Sequence, residues 1–313
     1  MNNFSTTTSY PLARKITEAA SKQTYYTIRF LVDRERLEDA YRTYGYFRWV
    51  DDILDADAGS ASERRAFLER QKSLLESCYR GEAMPDANPH EKMLVELVQH
   101  DQEKNSGLQS YLRNMMLVMD FDVRRRSRLI SQAQLNEYTR WLAIAVTDAL
   151  HHFVGHGAFA PRDETRYLAV SAAHIIHMLR DTFDDLQAGY FNVPREVLEA
   201  NHIGPLDVQS TAYRAWVKSR VLLARQYFEA GRSYFRRVQN SRHRLAGLTY
   251  MARFEWLLET IEREGFILRP QYRERKSIGT GLRMSWMALS SMLSLRGEEA
   301  VSRTIASQRQ GKV

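Results

Sequence analysis

Apolar residues recur at helical spacing from about Ala13 to Phe266, and no strand-like alternation lasts beyond four or five residues. A chain patterned this way must bury its apolar stripes helix against helix. Gly and Pro supply only 15 and 7 of the 313 residues, against roughly 12% in average proteins. That leaves little material for the tight turns of a sandwich or barrel. With 44% hydrophobic and 27% charged residues, the composition is globular and excludes disordered or collagen-like sequence. Breaks in the pattern fall at residues 56–62, where Ser62 is placed to cap a helix starting at Glu63, and at 81–89, 105–107 and 155–161. Residues 189–205 form the longest irregular stretch, followed by helices over 207–238 and 242–266. Short loops without a Pro/Gly/Ser linker predict one all-α domain over residues 13–296. Residues 1–12 read as a flexible N-terminal arm and 297–313 as a C-terminal tail.

Basic residues outnumber acidic ones 45 to 38, a formal charge of +7. Of the basic residues 37 are Arg, the side chain suited to bidentate grip on phosphate oxygens. The surplus fits nucleic acid, an anionic membrane surface or a phosphorylated ligand. Nucleic-acid binding calls for basic residues interleaved with exposed aromatics. The one dense run, Arg124-Arg125-Arg126-Ser127-Arg128, reads instead as a solvated loop or a phosphate or membrane contact. The single Cys78 rules out a disulfide framework within the chain and a multi-Cys zinc site. Residues 1–14 lack a secretory h-region and no apolar run reaches the ~18 residues of a membrane span, so a cytoplasmic chain is expected. A Met-rich apolar helix over 284–295 is expected to close the core, or to act as an interfacial helix or lid.

Two segments carry chemistry: residues 44–55 (YGYFRWVDDILD) and 180–185 (RDTFDD). Each holds a D-x-x-x-D pair, Asp51 with Asp55 and Asp181 with Asp185, and each pair is preceded by an arginine, Arg48 or Arg180. Spacing of four puts two carboxylates on one helix face, where they repel by a few tenths of a kcal/mol unless a cation lies between them. Hard divalent ions with oxygen ligands, Mg²⁺ above all, suit such pairs, with a substrate phosphate completing the shell. At about 100° per residue, Leu37, Tyr41, Tyr44, Arg48, Asp51 and Asp55 fall within roughly an 80° stripe. On the second helix His174, His177, Asp181, Asp184 and Asp185 share roughly a 100° arc. A single such stripe is ordinarily a solvated helix face. Two matched pairs, each with its arginine, point to a site.

These residues resemble the squalene and phytoene synthases, the head-to-head trans-isoprenyl diphosphate synthases, over about residues 21–273. Residues 21–26 (SKQTYY) resemble the family's S-x-S-F-Y segment, and 44–55 its Y-x-F-x-R-x-x-D-D-x-x-D motif. Residues 177–194 (HMLRDTFDDLQAGYFNVP) are similar to N-x-x-R-D-x-x-E-D-x-x-x-G-R-x-Y-x-P. The resemblance implies an all-α isoprenoid-synthase bundle around a central cavity between facing acidic helices. It implies Asp51, Asp52, Asp55, Asp181 and Asp185 as ligands of Mg²⁺, or of Mn²⁺, with His177 as a further candidate. Arg48 and Arg180 would bind diphosphate oxygens, and Tyr44 with Tyr25 or Tyr26 would lie near the reacting carbons. Tyr41 and Tyr190 complete the candidate substrate contacts. The chemistry agrees, because an allylic C–O bond ionises only if the leaving diphosphate is neutralised, and the cation then needs a dry aromatic cavity.

Several positions depart from the family. His177 and His174 replace an Asn and a Gln, which opens a transition-metal reading beside the ordinary one of hydrogen bonding to neighbouring carboxylates. Tyr190 stands for a phosphate-binding Arg, Asn192 for a Tyr, Ile144 and Thr147 for two glycines, and Phe254 for a Tyr. The expected function is head-to-head condensation of two farnesyl or geranylgeranyl diphosphates to a C30 or C40 isoprenoid. The alternatives are a terpene cyclase or prenyltransferase using one prenyl diphosphate and a non-prenyl acceptor, and a non-catalytic scaffold. The expected partners are a prenyl diphosphate and, peripherally, a membrane, with no nucleic acid. No G-x-G-x-x-G follows a strand, so nothing in the sequence argues for NADPH.

Overall fold

A computed structural model describes residues 8–56 and 59–272, and these are helical with no strand among them. Two compact units divide the chain: one comprises the residues up to Arg126 with Asn136–Gly157, the other Ser127–Leu135 with the residues from Ala158 on. The first unit holds α1 (Tyr10–Ala20), α2 (Lys22–Leu31), α3 (Leu37–Asp55), α4 (Ala61–Tyr79), α5 (Glu91–His100), α6 (Gly107–Arg125) and most of α7 (Gln132–Phe153). The second holds α8 (Leu168–Arg180), α9 (Thr182–Gln187), α10 (Arg195–Ala200), α11 (Thr211–Arg237) and α12 (Ser241–Arg263). No helix among the described residues is long and apolar enough to cross a membrane.

In the first unit α3 is buried on most of its circumference. Tyr46, Phe47, Val50 and Leu54 lie in a core with Leu94 and Leu97 of α5, and Phe47 meets Tyr111 of α6 edge to face at 5.3 Å. Arg42, only 2% exposed, is held by Glu96, Asp39, Ser9 and Thr8. Helix α4 is clasped to the start of α5 by Glu91, which accepts from Arg70 at 2.7 and 2.8 Å and from Gln71 at 2.9 Å.

In the second unit α8 is buried almost all round, as an apolar helix must be. It packs against α11 so closely that a Cβ on Gly231 would come 2.7 Å from Ala169 Cβ. Only glycine permits that approach.

Most expected breaks fall between helices. Three details differ. The cap of α4 is Ser60, not Ser62: its hydroxyl accepts from Glu63 N while the Glu63 carboxylate accepts from Ser60 N, a reciprocal box that outcompetes a lone hydroxyl two residues on. The stretch 189–205 contains α10, which begins just past Pro194. The helix α1 starts inside the stretch expected as an arm, because Ser9 N and Oγ are both bonded to Glu96. Residues 1–7, the Met-rich segment 284–295 and the tail 297–313 lie outside the described residues.

Candidate active site

The first acidic pair sits on the last turns of α3, held by the core that buries Val50 and Leu54. Its stripe is not a solvated face: Tyr41 is buried and Tyr44 is packed against the core, while Asp51 is half-buried and Asp55 emerges at the end. Arg48 bonds Asp52 and reaches Asp51 Oδ2 at 3.5 Å. Burial pushes Asp51 up to about 6, and the neighbouring Asp55 carboxylate adds to the rise, with Arg48 opposing. Asp55 is raised in the same direction by burial, against the pull of Arg126 and Arg48. Asp122 on α6, a residue that motif reading passed over, joins the group. Its carboxyl is raised by burial and by Asp55, and is held by Arg125 Nε at 2.6 Å and the Tyr138 hydroxyl at 3.0 Å. Sequence offered no way to choose it over Asp120, which pairs with Arg124 instead.

The basic run beside Asp122 is therefore not a solvated loop throughout. Arg124 and Arg125 close α6, Arg125 is buried over the Tyr138 ring at 4.9 Å, and Arg126 faces the field of Asp55.

The second pair lies where α8 gives way to α9. Asp181 leaves the helical conformation, with φ −94° and ψ 9°, so the arc drawn across residues 174–185 is interrupted. At the joint the Thr182 hydroxyl donates back to the carbonyls of Met178 at 3.0 Å and Leu179 at 3.2 Å. The i,i+4 link survives across the joint, since Asp185 N donates to Asp181 O at 2.8 Å. Arg180 grips Asp181 through both Nε and Nη2, and His177 Nε2 lies 2.9 Å from Asp181 Oδ2. Burial works against the Asp181 charge, but these hydrogen bonds outweigh it and hold the carboxyl well below the usual carboxylate range. Asp185 accepts from buried Asn192 Nδ2 at 2.6 Å. His174, one turn earlier on the same arc as His177, is buried, whereas His177 is exposed. His177 instead pairs with Asp181, the ordinary role of a histidine beside a carboxylate.

The aromatic candidates divide by environment. Tyr41 is buried, donates to the Tyr25 carbonyl at 3.2 Å, and is pushed up to about 12 by burial. The Tyr25 hydroxyl accepts from Arg14 Nη2 at 2.7 Å. Tyr26 is exposed and stacks on exposed Phe30 at 6.1 Å. Tyr190 donates its backbone N–H to the Asp185 carbonyl at 2.7 Å. In the second unit Arg180, Arg253, Phe254, Trp256, Leu257 and Tyr272 line a small cleft, with the Arg253 guanidinium over the Phe254 ring at 5.5 Å and Phe254 edge-on to His177 at 6.1 Å. Arg253 carries no mark in the sequence, although its neighbour Phe254 departs from the family pattern.

The donor set fits Mg²⁺. Asp51 and Asp55 offer all-oxygen ligation, with the Asp55 carboxylate raising the proton affinity of Asp51, and Asp181 and Asp185 repeat the spacing with their own hydrogen-bonded supports. Known proteins resemble the chain in sequence and in fold. The sequence model of squalene/phytoene synthase matches residues 17–278. Presqualene diphosphate synthase of Zymomonas mobilis subsp. mobilis is 27% identical over 194 residues, 62% of this chain and 63% of that protein, so the chain spans less than two thirds of this curated relative. The crystal structure of squalene synthase HpnC from Alicyclobacillus acidocaldarius superposes with a TM-score of 0.67 at 20% identity, over 83% of this chain and 95% of that one. A dehydrosqualene synthase solved with a ligand gives 0.68 at 15% identity, over 92% and 97%. The fold is that of the helical isoprenoid synthases.

Proposed function

The chain belongs to the squalene/phytoene synthase family, and we propose that it ionises a prenyl diphosphate and joins two of them head to head. The substrates in this reading are two farnesyl or geranylgeranyl diphosphates. The product is a C30 or C40 isoprenoid, reached through a cyclopropyl diphosphate. The observation that carries it is the gathering of Asp51, Asp55 and Asp122, where burial first and the Asp55 carboxylate second lift Asp51 to about 6 against the pull of Arg48. Such a group repels a diphosphate by itself and becomes its receptor once divalent ions are bound.

Mg²⁺ would supply charge neutralisation of the leaving group, as a Lewis acid does without moving a proton. In the reading we favour, the carboxylates that would hold it are Asp51 with Asp55 and Asp181 with Asp185, with Asp52 and His177 in support. Arg48, Arg180 and Arg253 then contribute guanidinium forks to diphosphate oxygens. Breaking the C1–O bond sends its electron pair to diphosphate. Tyr44, Tyr25 and Tyr26 offer aromatic faces to the allylic cation that remains.

A second reading, one prenyl diphosphate with a different acceptor or an internal cyclisation, draws on Tyr190, which brings no positive charge where the family carries Arg. Purified protein given Mg²⁺ and farnesyl or geranylgeranyl diphosphate, with and without NADPH, separates them. A C30 or C40 cyclopropyl diphosphate or hydrocarbon, with diphosphate release, supports the first reading. A cyclised C15 or C20 product supports the second. Consumption of neither substrate, even with acceptors supplied, refutes both. Asp51→Asn and Asp181→Asn should each lower turnover by at least 100-fold with the fold intact by circular dichroism. Near-wild-type turnover in either variant would remove that residue from the metal assignment.

A further inference from the structure

In the first unit, away from the acidic pair of α3, Glu103, His152 and His156 bring one ligand atom each to within 4.8 Å of one another. We propose that these three residues form a second metal site, taking Zn²⁺ or another late first-row divalent ion in a His₂Glu set. His152 and His156 are four residues apart where α7 ends, and Glu103 comes from the connection between α5 and α6. His156 Nε2 lies 2.7 Å from Glu103 Oε1. Arg36 Nη1 lies 2.7 Å from His152 Nε2, and its Nη2 lies 2.8 Å from the same Glu103 oxygen. A guanidinium has only hydrogens to offer, so His152 Nε2 must present a lone pair. Two groups with lone pairs thus already converge on a cation, and that cation is the fork of Arg36.

The spacing suits a metal in its place. Tetrahedral Zn²⁺ with bonds of about 2.0–2.2 Å sets its ligand atoms about 3.3 Å apart, so the three atoms need only small movements. The ligands are also well supported. His152 is 4% exposed and meets the Phe153 ring edge to face at 4.9 Å. Helix α6 presses on α7 beside it: a Cβ on Gly107 would come 2.6 Å from Asp148 O and 3.1 Å from His152 Cβ. The backbone of His156 donates to Asp33 Oδ2 at 2.8 Å, and Asp33 N donates to Phe153 O at 2.8 Å, so the turn carrying both histidines is tied from two directions. Glu103 and His156 are partly exposed and give an ion its way in, while Arg36, 22% exposed, has room to swing out.

Ligand chemistry separates this site from the acidic pairs. Two imidazoles and one carboxylate favour Zn²⁺, Ni²⁺ or Co²⁺ over Mg²⁺, which prefers oxygen. The test is calorimetric titration of the full chain with Zn²⁺ in excess Mg²⁺, with the absorption of Co²⁺ reporting tetrahedral nitrogen ligation. We expect one Zn²⁺ per chain, an affinity lowered at least 100-fold by His152→Ala, and a several-fold tighter site in Arg36→Ala. Because His152 is buried and its variant is at risk of misfolding, His156→Ala and Glu103→Ala, on the exposed side, are measured beside it with melting temperature as a control. Each should weaken binding at least 10-fold without loss of fold. Absence of Zn²⁺ uptake in both wild type and Arg36→Ala would overturn the proposal, as would affinity unchanged in His156→Ala and Glu103→Ala. Loss of the ion in His177→Ala instead would place it at Asp181 and equally overturn it.

Discussion

Asn192 donates to Asp185 across seven residues at 2.6 Å, and it stands where the family pattern carries a tyrosine. Buried at the foot of a carboxylate proposed to hold metal, it fixes which way that carboxylate turns. Partners of this kind are worth 10- to 100-fold in metal affinity or activity. Asn192→Ala should therefore raise the Mg²⁺ concentration for half-maximal turnover about 10-fold, with the melting temperature changed little. An unaltered Mg²⁺ dependence would mean that Asp185 is oriented by other contacts. The same scale shows what single residues conceal in a sequence. The pairing of Asp51 with Asp55 was legible from spacing alone. Asp122 was not, because its membership depends on how α6 turns Asp120 toward Arg124 and Asp122 toward Arg125.

Among the elements, α3 followed its periodicity and α8 did not. On α3 the stripe from Leu37 to Asp55 holds, since an amphipathic pattern survives wherever one side of a helix meets something different from the other. Helix α8 is buried on every side but at His177, so the arc that His174 shares with His177 runs from the core to solvent along the helix, a change that an angular plot does not register. Its end at Arg180 is equally hidden, because no Gly or Pro marks the joint at Asp181.

The clasp between α4 and α5 belongs to this scale too. Burial would raise Glu91, but hydrogen bonds from Arg70, Gln71 and Asn88 N reverse that and hold it at about 2. Its folded value is thus depressed below the unfolded value, and its contribution is complete above about pH 4.5 and lost as pH falls toward 2. Glu91→Gln should cost about 2 to 3 kcal/mol at pH 7, less than the full shift implies because Arg70 is exposed. It should also flatten the loss of stability between pH 4.5 and 2. Chemical denaturation at pH 7, 4 and 2.5 reads both effects, and equal slopes in the two proteins would dismiss the clasp.

Over the whole molecule the net charge of +7 is a poor guide to local sign. Much of the arginine is committed to partners: Arg42 to Glu96 and Asp39, Arg70 to Glu91, Arg125 to Asp122 and Arg237 to Asp163. The end of α3 is acidic despite the surplus, which suits a metal-first order of assembly. Mg²⁺ with inorganic diphosphate should therefore stabilise the chain more than either alone. At about 100 times the dissociation constant the linkage gain is about 2.7 kcal/mol, or roughly 5 °C for a chain of this size. The shift should vanish in Asp51→Asn/Asp181→Asn. A melting temperature indifferent to Mg²⁺ and diphosphate together would count against the receptor. The all-α class was legible at this scale from the apolar spacing and the scarcity of turn residues. The division into two contact units was not, because residues 127–135 and 136–157 exchange units without any break in composition.

The joint at Asp181 has a kinetic consequence. On one side lies α8, shut in the core; on the other lies α9, six residues long and partly wet. Backbone amides in two such neighbours open on different clocks, one near the rate of global unfolding and the other far faster. Asp181 belongs to the slow side and Asp185 to the fast side, so any ion that bridges them couples the two clocks. Occupancy would then be written as slowed amide exchange over residues 182–187, in a stretch of chain too short to hold its own helix without help.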